Sequence, residues 1–456
     1  MRKEKYTLHR LKQAKRGLKR HLNSSRRKRR HGLLVMQLPQ LEIRPDSTIT
    51  HLIHSLEKFT GNGRVQTPVR VGRAVTLRLP KHFSLSRCAT ESFGFLAALI
   101  STLDTVPASV LLLDYEDCEE IDLDASVCMD VILRVFIRRY NLLRGTHRKK
   151  AKVCSIEYVK MTREPVRKFC WSVGIAQSIH GYNLQFPDTL RCSLETGRQG
   201  SKCEALIAET STKLFDHLEA CLDRFNKQLT PEDAARFGSI IGEVLANAGQ
   251  HSSLPPNYAI AHFIEHNAND PNDHFGRFQI VIFNFGQTIY ERLKDPIACL
   301  TQKKLWPEMN NLSQHFTKRR YMGLLEAEYK EETLWTLYAL QDGVSSLRDS
   351  SDPESGRGSG STRFITDFLE LRSRAPDKNS ILTLMSGQTR IHLNGDYAIK
   401  DKVNSHGDKH KVIAFNTKND LREPPDPKVV TFVPPYFPGT LLYADIYLTE
   451  EHFQSA

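Results

Sequence analysis

Gly242-Glu243-Val244-Leu245-Ala246-Asn247-Ala248-Gly249-Gln250-His251-Ser252 is the stretch on which the reading of this chain turns. It closes a segment opened by Thr230-Pro231-Glu232-Asp233, where a hydroxyl can cap a helix, proline suits the first helical position and two acids face the positive end of the helix dipole. The pattern predicts a helix from there to about Gly249, with Phe237, Ile240, Ile241, Val244, Leu245 and Ala248 on its apolar face. Glu243 and Asn247, four residues apart, share a neighbouring face. Such a pair is usually just solvated. It also supplies oxygens that suit a hard cation and an attacking water.

Further landmarks follow downstream. Residues 278–283 form an apolar, β-branched run that predicts a core strand, ending in Asn284-Phe285-Gly286-Gln287-Thr288-Ile289. The segment Ser355-Gly356-Arg357-Gly358-Ser359-Gly360-Ser361-Thr362 precedes residues 364–369, which have helical periodicity. Alternate glycines let backbone amides close on a phosphate, and the helix behind them directs its positive end there. Residues 382–387 predict the next core strand, and Pro438-Gly439-Thr440 leads into the last one, 441–448. Residues 290–355 are a long intervening stretch with a predicted helix over 326–340, and 403–428 reads as an insertion.

Taken together, these boxes resemble the ATP-binding module of the gyrase, chaperone, histidine-kinase and MutL (GHKL) superfamily, across some 240 residues in the family's order. The resemblance implies a Bergerat-type α/β sandwich with a mixed sheet over 205–456, binding ATP and Mg2+. It implies Asn247 as a magnesium ligand and Glu243 as the catalytic base that activates water. Asn284 takes the place of the acid that accepts from the adenine amine, Gly286 keeps the first glycine of that box and Thr288 replaces the second. An asparagine oxygen can still accept, at the loss of a charge. The resemblance assigns phosphate binding to Gly356, Gly358, Gly360 and Ser361, places Thr440 near adenine, and makes 290–355 the ATP lid. His251 reads first as a helix-end residue and second as a phosphate contact.

Upstream, residues 65–180 alternate in type. Val75, Leu77 and Leu79 predict a strand, 91–103 a helix, 109–114 a buried strand, 125–140 a helix, 153–158 a strand, and Glu164-Pro165 opens a helix closing at Gly174. Alternating strands and helices imply an α/β layer domain. Val110-Leu111-Leu112-Leu113-Asp114, Ile121-Asp122 and Pro165-Val166-Arg167-Lys168-Phe169 resemble a STAS domain, the fold of anti-sigma-factor antagonists. Leu123 stands where that family carries its phosphorylatable residue, so a plain α/β scaffold is the favoured reading there. The organisation predicted is a basic arm (1–40), a STAS-like domain (41–180), a linker (181–204) carrying Glu195-Thr196-Gly197, and the ATP-binding domain (205–456).

Charge is concentrated in the arm. Residues 1–30 hold fourteen lysines and arginines against Glu4, while the whole chain is formally +12, leaving the remainder near neutral. A solvated tail and sequence-independent binding to nucleic acid are the two main readings of that arm, with an anionic membrane surface behind them. The nine cysteines include no C-x-x-C pair, which fits reduced thiols and a cytoplasmic location, and no apolar run is long enough to span a bilayer. Three functions remain open. The first is an ATP-hydrolysing switch relaying its state to a protein or nucleic-acid partner. The others are an anti-sigma-type serine kinase and a nucleotide sensor with little turnover. A homodimer stays open as well.

Overall fold

The structure, a computed structural model, describes residues 67–72, 74–105, 110–146, 155–173, 189–197, 203–251, 257–265, 275–294, 305–317, 329–342, 360–375, 379–403 and 409–454, with His54, Lys58, Leu254 and Val344 beside them. The basic arm, Gly356 and Gly358 lie outside the described residues.

The N-terminal part comprises β1 (Val69–Val71), β2 (Ala74–Arg78), β3 (His82–Phe83), α1 (Ala89–Thr105), β4 (Val110–Asp114), β5 (Glu120–Ile121), α2 (Leu123–Thr146), β6 (Ser155–Val159) and α3 (Glu164–Val173). Its main sheet has the order β1-β2-β4-β6. The pairs β2–β4 and β4–β6 are parallel and β1–β2 is antiparallel, so this sheet is mixed. Helices lie between successive parallel strands, as parallel crossovers require.

The C-terminal part runs through β7 (Glu195–Gly197), α4 (Cys203–Asp223), α5 (Pro231–His251), β8 (Asn257–Glu265), β9 (Gly276–Phe285), α6 (Ile289–Leu293), α7 (Leu305–Thr317), α8 (Glu331–Tyr338), α9 (Gly360–Ser373), β10 (Ile381–Leu393), the hairpin β11 (Lys400–Val403) and β12 (Lys409–Val412), and β13 (Val430–Leu448). Its sheet, ordered β10-β13-β9-β8-β7, is antiparallel at every described pairing. This corrects the mixed sheet expected here: the parallel pairs all belong to the N-terminal part. The linker expectation also changes locally, because Glu195–Gly197 pairs with β8 as an edge strand. The 403–428 stretch contributes β12 to a hairpin.

Both faces of the C-terminal sheet are covered. Side chains alternate along a strand. Ala259, Ala261, Ile280, Ile282, Leu384, Leu442 and Ala444 pack into one core with Leu218, Phe237, Ile241, Leu245, Trp335 and Phe368 from the C-terminal helices. Their neighbours Tyr258, Ile260, Val281, Phe283, Phe285, Met385, Leu441 and Tyr443 pack into the other core, with Phe93, Leu96, Val131 and Phe169 from the N-terminal part. α1 lies on β13 and α2 on β9. Within the expected lid, α8 is buried from Thr333 to Tyr338, Trp335 at 0% exposure, so this helix is part of the core and not a mobile cover.

Polar contacts join the two parts. Arg277 on β9 pairs with Asp445 on β13 at 2.5 and 3.1 Å and approaches Asp122 at 3.9 Å. Asp122 in turn accepts from the Arg87 Nε and Nη2 at 2.8 and 2.6 Å. Arg390 Nη1 donates to the Ser86 carbonyl at 3.0 Å. Ser172 Oγ and His262 Nε2 stand 2.7 Å apart, with the His262 ring edge-on to Phe169.

His262 makes a pH-dependent prediction. Burial, reinforced by His217 and Arg277, pushes its imidazole from the ordinary 6.5 down to about 3. The unfolded chain therefore binds the proton first as pH falls, and stability present above pH 6.5 is lost progressively toward pH 3. From pH 6.5 to pH 5 this site alone removes on the order of 1–2 kcal/mol. Urea midpoints across that range are expected to fall for the parent and to fall less for His262→Leu; equal slopes would refute the assignment.

Candidate functional site

The helix start and length expected for 231–249 are found in α5, which runs to His251. Thr230 Oγ1 accepts from the Asp233 amide at 3.2 Å, closing its N-terminus as the capping pattern requires. Glu243 and Asn247 lie in its C-terminal half, both partly exposed. Opposite them begins α9, whose first residue is Gly360. A Cβ placed on Gly360 would stand 2.7 Å from Glu243 Oε2 and 3.8 Å from Asn247 Nδ2. A side chain there would have to displace the end of the Glu243 side chain, so the glycine lets the carboxylate close on the start of α9. The carboxylate thus sits at the positive end of a 14-residue helix, where a negative charge is favoured. Ser361 is in the first turn of the same helix. Arg363, in that turn too, reaches Glu243 Oε1 with Nη1 at 3.4 Å.

A second polar group lies at the end of the sheet. Asn257, Asn284, Thr440 and Ser386 are successive register partners on β8, β9, β13 and β10. By alternation each faces the same side as Ala259, Ile282, Leu442 and Leu384, the side covered by α5 and α9. Asn284 and Thr440 were both expected from the sequence and are here direct neighbours. Asn257 and Ser386 were not: a polar residue opening an apolar strand reads as a turn, and strand register is invisible locally. Arg363 was missed for a similar reason, since its partner is on another helix.

The backbone around this row is tightly built. Gly439 has φ +143, and a Cβ there would lie 2.0 Å from the Asn284 carbonyl oxygen. Gly286, with φ +134, donates its amide to the Pro438 carbonyl at 3.1 Å. Ser386 Oγ donates to the Gly439 carbonyl at 2.9 Å and accepts from the Ile289 amide at 2.9 Å, with Thr440 Oγ1 at 3.3 Å. Thr288, where a second glycine was expected by resemblance, caps α6 in a capping box with Glu291. The hydroxyl supplies the cap a glycine lacks.

Asn257 Oδ1 is buried and has no hydrogen-bond partner. It borders a cavity of about 10 Å³, room for a single water, lined also by Gly197, Ile207, Thr210 and Leu245. Leu245 places α5 against this row, while Glu243 and Asn247 on the same helix meet α9. α5 thus contributes to both groups.

Among the described residues no cluster of three or more His, Cys, Asp or Glu is placed to hold a metal, and no helix is long and apolar enough to cross a membrane. A Glu243–Asn247 pair fits a cation only when phosphate and water oxygens complete its shell. Comparison with protein-family models, curated proteins and solved structures finds no match to this chain.

Proposed function

We propose that this chain is an ATP-binding, ATP-hydrolysing switch of GHKL type, with a Bergerat-type C-terminal part and a STAS-like N-terminal part. The observation that carries the reading is the meeting of α5 and α9: Gly360, from the glycine segment, lies against Glu243 and Asn247. Side chains far apart in sequence come together where a phosphate, its cation and a base would be needed. The register row containing Asn284 and Thr440 supports a base subsite beside them. In this reading Asn247 would help hold Mg2+, which when bound would neutralise phosphate charge. Glu243 takes a proton from water as it attacks the terminal phosphorus, and ADP and phosphate leave. The N-terminal part, packed on the opposite face of β9 and β13, relays the nucleotide state to a protein partner. Residues 1–30 provide sequence-independent nucleic-acid binding in the same proposal.

The Arg363–Glu243 contact favours a second reading, a sensor with little turnover, because a carboxylate oxygen engaged by a guanidinium is not available to an attacking water. Magnesium-dependent ATP binding and phosphate release, measured on the full chain, separate the two. Label transferred to a protein would instead indicate a kinase. Asn247→Ala is expected to weaken Mg-ATP binding about 10–100-fold, the effect of losing a contact to a charged group worth about 1.5–3 kcal/mol. Magnesium-free binding should change little. A variant that binds Mg-ATP like the parent would remove Asn247 from the site.

A further inference from the structure

The row at the end of the sheet contains two carboxamides and two hydroxyls and no carboxylate. Asn257 and Asn284 are direct cross-strand partners, but the Asn257 carboxamide lies over Gly197 on β7, on the far side of β8 from Asn284. Ser386 is committed to the Gly439 carbonyl and the Ile289 amide, so it anchors the row. Asn257 Oδ1 is buried with no protein partner and opens on the single-water cavity beside Gly197, Ile207 and Thr210, so a water suits it and it closes the β7 end of the row. Resting on the nucleotide-binding reading above, we infer that the base subsite formed by the direct neighbours Asn284 and Thr440 accepts guanine as well as adenine nucleotides.

The chemistry follows from what each group can present. A carboxylate offers acceptors only, so it suits the adenine amine and repels the guanine carbonyl. A carboxamide offers an acceptor and a donor in one plane and exchanges them by a half-turn about its terminal bond. With Asn284 in one orientation its oxygen meets the adenine amine; in the other its NH2 meets the guanine carbonyl. The Thr440 hydroxyl beside it has the same dual capacity. Discrimination of a purine edge depends on fixed donors and acceptors whose mismatch leaves a buried group unpaired. Nothing in this row fixes them to one base.

The test is calorimetric titration of the full chain with Mg-ATP and Mg-GTP, on the parent and on Asn284→Asp. The parent is expected to bind the two within about tenfold of each other. Asn284→Asp, nearly isosteric, is expected to weaken GTP at least about tenfold relative to ATP, because the acceptor-only group now faces the guanine carbonyl. A parent that binds ATP but rejects GTP by more than about a hundredfold overturns this inference and leaves the ATP reading standing. An unchanged ratio in a folded Asn284→Asp overturns it as well. Failure to bind either nucleotide overturns both. If the variant does not fold, the parent ratio alone decides.

Discussion

Arg277→Ala is expected to destabilise the protein by about 3–5 kcal/mol, read as a drop in the urea midpoint at pH 7. Asp445 and Asp122 are nearly fully buried, and Arg277 is the cation that stands against both, at 2.5 and 3.9 Å. Removing it leaves Asp445 with the Tyr443 hydroxyl at 3.2 Å, a neutral donor in place of a charge. Burying an uncompensated carboxylate is far costlier than losing a surface ion pair. The paired variant Arg277→Met with Asp445→Leu removes both charges and is expected to recover much of the loss, since apolar replacement of a buried pair is often neutral. A loss below about 1 kcal/mol in the single variant would show that the network contributes little, and a double variant no better would show that the unpaired carboxylate is not the source of the loss. Arg277 projects from the face of β9 opposite Asn284, so the folded fraction of Arg277→Ala should still bind nucleotide as the parent does.

The same strand shows how much was legible before the fold was known. Residues 280–283 are apolar without interruption, the mark of a strand covered on both faces, and β9 is covered by helices on one side and by the N-terminal part on the other. α5 was legible from its cap, its proline and its apolar periodicity, all local signals. The direction of pairing was not, because an apolar run looks alike in parallel and antiparallel sheets. Glu195-Thr196-Gly197 was unreadable as a strand: one threonine between a glutamate and a glycine, both poor strand formers, becomes one only through the edge that β8 offers. Within the candidate site, Glu243, Asn247, Asn284 and Thr440 stood out because their neighbours fell into a familiar order. Asn257, Ser386 and Arg363 did not, since their roles exist only through register or helix packing. The burial of α8 was hidden for the same reason: its Trp335 and Tyr338 mark a core helix, but the core they complete comes from strands and helices on both sides of it in the chain.

Glu243→Ala is the variant that separates a catalytic role from a binding one. It is expected to hold Mg-ATP within about threefold of the parent while phosphate release falls about 10²–10⁴-fold, the range general-base removal produces. The geometry supports this split. Glu243 is 28% exposed and its Oε2 lies at the start of α9, so its loss opens space without leaving a buried group unpaired. The helix terminus, once relieved of the carboxylate, attracts a phosphate no less strongly, because a like charge has been removed. Arg363→Met provides the complement. With 66% of its side chain exposed, Arg363 contributes little to stability through its pair with Glu243, so that substitution should fold normally. If the guanidinium holds the carboxylate inactive, phosphate release rises in Arg363→Met and falls back when Glu243→Ala is added. If Arg363 instead steadies phosphate, binding weakens and release does not rise. Parent-like phosphate release by Glu243→Ala would assign the proton transfer elsewhere, and loss of ATP binding in the same variant would make Glu243 a positioning residue for the α5–α9 contact.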